Sequence, residues 1–189
     1  MQEYKRYVFG NKNRIYLYLL SEPMENGMLG IVRSKAFSSQ IGIHIKKQRR
    51  DDESFDIGGL YISSVNEQPM IWVCEELYLN ESLSEALLMT VLHELGHYYN
   101  GDCSKDMPKT DETRICEINL GRVNARETGA DDFSIRYLGK RRTLIGLNQL
   151  IELICSIDCT DNETKKLALT EIKLRIDRIN RQPKNEKQV

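Results

Sequence analysis

The sequence predicts an α+β fold, in which a mostly antiparallel sheet is followed by a set of helices. Residues 1–75 contain short β-prone runs separated by turn residues, whereas residues 82–181 carry apolar side chains at helical spacing. A length of 189 residues with 40% hydrophobic residues suits one hydrophobic core. We therefore expect a single domain over residues 1–182 and a flexible tail over residues 183–189.

Five runs in the first part of the chain are typical of strands, because β-branched and aromatic residues lie between turn residues. Asn26 and Gly27, between the first two runs, favour a hairpin turn. In the third run the isoleucines share one face, which places His44 on the opposite, solvent-facing side. The five runs are Ile15–Leu20, Met28–Arg33, Ile41–Ile45, Ile57–Ser63 and Met70–Cys74, with a charged loop at Lys46–Asp56 and a turn at Val65–Pro69.

Helical spacing begins at Ser82, because Ser82 and Glu85 form the capping-box pattern of a helix start. This helix is expected to end near Gly101, since glycine suits the left-handed residue that follows a helix. The run Leu144–Ile157 is apolar almost all round and predicts a buried helix. Three more helices are predicted, the last with a solvated basic side: Glu112–Leu120, Asn124–Leu138 and Glu163–Arg181.

Charge and hydropathy argue against several classes of function. A net charge of −1 lacks the basic excess that dedicated nucleic-acid binders carry. No run approaches the roughly 20 apolar residues that a membrane helix needs. The first residues contain no apolar segment of the kind found in secretory signals. We therefore expect a cytoplasmic protein that binds neither nucleic acid nor membranes; the sequence does not indicate its oligomeric state.

The five cysteines are an odd set without any C-x-x-C pair, and without a secretory signal they are expected to be reduced thiols. Cys155 and Cys159 lie four residues apart on an apolar helical segment, a spacing that could seat two metal ligands. Burial as small hydrophobic side chains is the favoured interpretation. We therefore predict a structural role for all five: Cys74, Cys103, Cys116, Cys155 and Cys159.

The most informative motif is H-E-x-x-H, formed by His93, Glu94 and His97 on a predicted helix. Residues four apart on a helix share a face, so both histidines can bind one metal ion. Zinc is the expected metal for two imidazole ligands and a carboxylate. Glu94 then lies beside the metal, where it can accept a proton from an activated water. A chain of this composition would contain the motif by chance only about 0.004 times.

The third metal ligand is not part of this motif. No histidine follows His97, and the positions of a third histidine in the extended motif hold Asn100 and Cys103. The third ligand therefore has to be a carboxylate, a cysteine or absent. Asp102, just past the predicted helix end, is one carboxylate in reach, although a turn role after Gly101 is favoured for it.

Glu127 is the other carboxylate that the spacing favours. Of the glutamates after the motif, it alone has an aspartate, Asp131, four residues later. On a helix the two share a face, so Glu127 could ligate the metal while Asp131 accepts the free ring N–H of a ligand histidine. The alternative is a surface helix in which Glu127 is a capping residue, three positions after Asn124.

Residues 70–140 resemble the glutamate-zincin (gluzincin) metallopeptidases, and most closely the short soluble ImmA/IrrE-like group and the minimal single-domain gluzincins. The likeness lies in HELGH at 93–97 and in E-x-x-A-D-x-F from Glu127. It implies a zincin-like fold and the following roles: His93, His97 and Glu127 as ligands of Zn²⁺, Glu94 as general base and acid, and Asp131 as the partner of a ligand histidine.

The resemblance also implies a function. We expect a zinc metallopeptidase that acts on a peptide or protein substrate, with Met70–Cys74 as the strand whose edge pairs with an extended peptide. Two alternatives stay open, namely a catalytically weak or inactive gluzincin-like regulatory or binding protein, and a non-peptidase zinc hydrolase. An additional donor to the oxyanion is expected, and the candidates are Tyr98, Tyr99, Arg136 and Tyr137.

Overall fold

A computed structural model describes residues 3–34, 40–46, 57–62, 69–102, 111–157 and 162–183. Some sequence predictions therefore fall outside the described residues. These are the charged loop beyond Lys46, the turn before Pro69, Cys103, Cys159 and the tail beyond residue 183.

Within the described residues, six strands precede six helices, which confirms the α+β class and the mostly antiparallel N-terminal sheet. The strands are β1 Tyr4–Phe9, β2 Ile15–Leu20, β3 Met28–Ser34, β4 Ile41–Lys46, β5 Gly58–Ile62 and β6 Pro69–Cys74. The helices are α1 Glu75–Leu79, α2 Ser84–Asn100, α3 Asp111–Asn119, α4 Ala125–Leu138, α5 Lys140–Ser156 and α6 Asn162–Arg181. None of these helices is both long and apolar enough to cross a membrane.

The six strands form one sheet in the order β1-β2-β3-β4-β6-β5, in which only the pairing of β4 with β6 is parallel. β1 is not among the predicted strands. It lies at one edge of the sheet and buries only Phe9, so it lacks the regular alternation that marks a half-buried strand. His44 lies on the outer face opposite the buried isoleucines of β4, where it is half-buried rather than fully exposed.

The prediction that Met70–Cys74 forms a sheet edge is wrong. β6 pairs with β4 on one side, where Trp72 is opposite His44, and with β5 on the other, where Trp72 is opposite Gly59. β5 therefore forms this edge of the sheet. The pattern of apolar residues does not reveal this order. β5 lies between β4 and β6 in the chain, but in the sheet it lies outside β6.

The core lies between the inner face of the sheet and α2. From Ala86 to Gly96 every residue of α2 is buried, because the helix also packs against α4 and α5 on its other side. A helix enclosed in this way is hydrophobic nearly all round, and the charged residues within it require partners. The two charged or titratable residues in this stretch are His93 and Glu94.

The start of α2 differs from the predicted capping box. Asn80, not Ser82, is the capping residue, and its side chain accepts a hydrogen bond from the Ser82 backbone N–H at the start of a 3₁₀ turn. The carboxylate of Glu85 instead accepts from Nε of Arg142 at 2.9 Å. Asn80, a polar residue two positions before Ser82, therefore takes the place of the predicted cap.

The prediction of a helix buried all round at Leu144–Ile157 is also wrong in part. α5 begins earlier, at Lys140, and only one face is buried, so that Ile145 keeps 38% of its surface exposed. Cys155 lies on the exposed side, contrary to its predicted burial, and Cys116 is exposed as well. Cys74 is buried as predicted, and this burial raises the pKa of its thiol to about 12.

Candidate metal centre

α2 and α4 bring the predicted metal ligands together. His93 and His97 project from successive turns of α2, and Glu127 projects from the first turn of α4. Nε2 of His93 lies 3.1 Å from Nε2 of His97 and 3.1 Å from Oε2 of Glu127. Nε2 of His97 lies 3.6 Å from Oε1 of Glu127. One atom from each of the three residues therefore lies within 4.8 Å of the others, close enough to surround one metal ion.

Two small residues, Gly96 and Ala130, allow the helices to approach so closely. A Cβ atom built on Gly96 would lie 2.8 Å from Cα and 3.0 Å from the carbonyl oxygen of Ala130. Both contacts are with the α4 backbone, which cannot move aside without shifting the whole helix. Gly96, within the H-E-x-x-H motif, therefore sets the distance at which Glu127 faces the two histidines.

We expect Gly96→Ala to lower the free energy of unfolding by about 1–3 kcal/mol and to weaken metal binding, because overpacking separates α2 from α4. Gly129→Ala is the matched control, since it is also a helical glycine and its added Cβ meets mainly the end of the flexible Asn100 side chain. Urea unfolding and metal titration of both variants measure the difference. Equal effects of the two substitutions would contradict the spacing role of Gly96.

Both histidines have a carboxylate at the ring nitrogen that faces away from the cluster. Nδ1 of His93 lies 3.1 Å from Oδ1 of Asp131, which is fully buried. Nδ1 of His97 lies 2.9 Å from Oδ2 of Asp102. Asp102 therefore contacts the far side of the His97 ring, not the centre of the cluster where a competing ligand would lie.

The C-terminal cap of α2 positions Asp102. Gly101 adopts a left-handed conformation with φ of 75°, as predicted, and its N–H donates to the carbonyl of Tyr98. The N–H of Asp102 donates to the carbonyl of His97 at 3.0 Å. This pair of bonds is a Schellman cap, which turns the chain so that Asp102 reaches the ring of His97.

The protonation pattern suits a metal ion. A carboxylate only accepts hydrogen bonds, so Nδ1 of each histidine donates to its carboxylate, and each Nε2 faces the cluster, where it can hold a proton or a metal ion. Without a cation or a proton between them, the lone pairs of the two Nε2 atoms, which lie 3.1 Å apart, would repel each other. The nearby carboxylate of Glu127 would repel both. The donor set of two imidazole nitrogens and one carboxylate therefore fits a divalent metal of the zinc type.

The pKa values of these residues reflect the concentration of charge. Burial and the Arg175 cation lower the pKa of His93, but the hydrogen bonds to Asp131 and Glu127 prevail and raise it to about 9. Burial raises the pKa of Asp131, but the Arg175 cation and His93 lower it to about 2. Burial likewise opposes ionisation of Glu127, yet His93 and Arg175 hold its pKa well below the usual range. Glu127 and Asp131 are therefore carboxylates available to a metal and to a histidine.

Glu127 is not the capping residue that the alternative interpretation predicted. The side chain of Asn124 caps α4 by accepting from the backbone N–H of Arg126 at 2.9 Å. The carboxylate of Glu127 lies instead against His93 and His97, and only 13% of its side chain is exposed.

Glu94 lies beside the cluster on a cavity of about 280 Å³. Burial raises the pKa of its carboxyl group above the ordinary value, and the neighbouring His93 and His97 oppose the increase. The cavity is bounded by β5, because a Cβ atom on Gly58 would lie only 2.6 Å from Cγ2 of Thr90. Apolar residues also line it, and they include Met89, Leu150, Ala168 and Ile172.

The four predicted oxyanion donors do not line this cavity. Two of them, Tyr99 and Tyr137, pack against Phe133 with ring centroids 5.4 and 4.7 Å from it. The polar residues that do line the cavity include Thr90, whose buried hydroxyl has no partner among the described residues, and Arg114. Neither carried a recognisable sequence signal.

The C-terminal helix also reaches the site through Arg175, which is an exception to the predicted solvated basic side of α6, where Lys166, Lys173 and Arg181 are exposed. Arg175 is buried and lines the cavity together with Glu171 one turn earlier. The spacing of Glu171 and Arg175 by four residues is visible in the sequence, but it is equally common on exposed helices. Whether such a pair is buried or exposed depends on the side on which α6 packs, and periodicity alone does not determine that side.

Comparisons of the chain with protein-family models, with curated proteins and with solved structures find no match. The geometry of this site and the composition of its donor set are therefore the basis for the function proposed below.

Proposed function

We propose that this protein is a zinc-dependent metallopeptidase with a zincin-like fold, in which His93, His97 and Glu127 hold the metal. The observation that carries the proposal is the convergence of three donor side chains while Asp131 and Asp102 occupy the outer nitrogens of both histidines. Catalytic zinc sites combine three protein ligands with such carboxylate partners.

Glu94 is the proposed general base and acid. When bound, zinc would polarise a carbonyl group and increase the acidity of a water molecule. The carboxylate of Glu94 would accept the proton of the attacking water and return it to the nitrogen of the departing amine. Its burial supports this role, because burial raises the pKa of the carboxyl group, and a carboxylate with a raised pKa is a stronger base than an ordinary glutamate.

The proposed substrate is an extended peptide that lies along β5. Among the described strands β5 pairs only with β6, so its other edge is the proposed place for a peptide strand to pair. The close approach of Gly58 to Thr90 places this edge next to the cavity that contains Glu94. β5 thereby takes the role that the sequence assigned to Met70–Cys74.

Zinc content and peptide hydrolysis test the proposal. We expect one zinc per chain after reconstitution, cleavage of a diverse peptide pool measured by mass spectrometry, and loss of both on treatment with a chelator. A chain that takes up no zinc would contradict the proposal. Zinc uptake without any cleavage would instead favour the alternative of a catalytically inactive gluzincin-like regulatory or binding protein.

A further inference from the structure

A buried arginine from the C-terminal helix contacts three residues of the candidate metal centre. We propose that Arg175 is a positioning residue, which fixes the carboxylate–histidine arrangement of the site so that Nε2 of His93 faces the metal. This inference rests on the proposed function, because it concerns the same site. It makes α6, which lies outside the segment that carries the motifs, a necessary part of the metal centre.

The principal contact of Arg175 is a forked ion pair with Asp131. Nε of the guanidinium donates to Oδ2 at 3.0 Å, and Nη2 donates to Oδ1 at 2.6 Å. Only 7% of the arginine side chain and none of the aspartate side chain is exposed. Two parallel hydrogen bonds fix the plane of the carboxylate as well as its position, which a single point charge cannot do.

The orientation of Asp131 determines the orientation of His93. Oδ1 of Asp131 accepts from both Nη2 of Arg175 and Nδ1 of His93, which lie 3.0 Å apart. The shared acceptor keeps the hydrogen of His93 on Nδ1 and directs Nε2 toward His97 and Glu127. Nη1 of Arg175 lies 3.6 Å from Oε2 of Glu127, so the same guanidinium also faces the third ligand.

Charge balance supports the same role. Asp131 is a buried and Glu127 a mostly covered carboxylate on one face of α4, and their mutual repulsion would separate them if no cation were present. Arg175 lies against both. It can therefore hold the two carboxylates in place while a metal enters, so that binding requires little rearrangement.

Neighbouring ion pairs hold α6 in the position that this contact requires. Glu171, one turn before Arg175, accepts two hydrogen bonds from Arg114 of α3, at 2.8 and 2.5 Å. Arg178, on the other side of Arg175, donates to Asp132 of α4 at 2.9 Å. The guanidinium of Arg175 is thus placed by contacts on both sides of it along the helix.

Arg175→Lys tests the inference, because lysine keeps the positive charge and removes only the fork. We expect zinc affinity, measured by competition with a chromophoric chelator, to fall about 10-fold, as is usual for partners of metal ligands. The absorption bands of the cobalt(II)-substituted protein should change in intensity, since they report ligand geometry. Arg181→Lys, at an exposed position two turns later, is the matched control and should match the wild type.

A second comparison separates positioning from general packing. If Arg175 acts through Asp131, Arg175→Lys should weaken zinc binding far less in an Asp131→Asn background than in the wild type. A packing role would give the same additional loss in both backgrounds and would overturn the inference. Arg175→Lys with wild-type zinc affinity and cobalt spectrum would overturn it too. Failure of the wild type itself to bind zinc would instead contradict the proposed function.

Discussion

Glu94→Gln is expected to lower kcat for peptide hydrolysis by about 100- to 10,000-fold, the range that a general acid–base residue contributes. Glutamine has nearly the same shape, so the cavity keeps its form, but its amide cannot accept the proton of the attacking water. The zinc content should stay unchanged, because Glu94 lies beside the cluster of His93, His97 and Glu127 and is not one of the converging donors. Steady-state peptide assays with matched metal analysis would measure both quantities.

The same substitution makes a second, independent prediction about stability. Burial raises the pKa of Glu94, which means that its ionised form is less favourable in the folded than in the unfolded chain. Its ionisation therefore costs stability as the pH rises above the unfolded pKa, and the Glu94→Gln substitution would remove this cost. We expect the free energy of unfolding at neutral pH to be retained or raised. Glu152→Gln, at an exposed position of α5, should change neither activity nor stability.

A Glu94→Gln protein that kept full activity would exclude Glu94 as the base. A protein that lost its zinc together with its activity would show that Glu94 contributes to the metal site directly. The assays therefore distinguish a proton-transfer role from a ligand role without reference to the identity of the substrate.

The two residue pairs of the candidate metal centre could be predicted from local helical geometry, whereas their convergence was implied only by the family resemblance. His93 and His97 are four apart on one helix, and so are Glu127 and Asp131 on another, which fixes each pair on one face. The structure brings the two faces together at Gly96, where a side chain would prevent the contact. The fold class followed from the same kind of local evidence, because period-2 and period-3.6 patterns occupy different parts of the chain.

Features that depend on the packing of distant elements could not be predicted. The order of β5 and β6 depends on which strand lies beside β4, and both have strand-like sequences. The burial of Arg175 depends on the side on which α6 meets α4, and Arg178 of the same helix is partly exposed with a similar local sequence. The contact between Asp102 and His97 depends on the geometry of the helix cap, which the sequence indicated only as a turn.

Substitution of the two candidate carboxylates is expected to show which one binds the metal. Glu127→Gln removes an anionic donor whose oxygens lie 3.1 and 3.6 Å from the two histidine Nε2 atoms. If one ligand supplies about a quarter of the roughly 10–16 kcal/mol that holds zinc in protein sites, the loss is ~2.5–4 kcal/mol. This corresponds to roughly 100- to 1,000-fold weaker binding.

Asp102→Asn should have a smaller effect, about 10-fold, because Asp102 accepts from the far nitrogen of His97 and influences the metal only through that ring. Asp177→Asn is the control, since Asp177 is also an aspartate but lies at an exposed position of α6. Chelator competition ranks the three variants on one scale. The proposed ligand set requires the largest loss in Glu127→Gln, a smaller one in Asp102→Asn and none in Asp177→Asn. A larger loss in Asp102→Asn than in Glu127→Gln would transfer the role of third ligand to Asp102. Because Asp102 and Glu127 approach His97 at opposite ring nitrogens, such a reversal would also require the His97 ring to bind the metal through Nδ1, the nitrogen that faces away from Nε2 of His93.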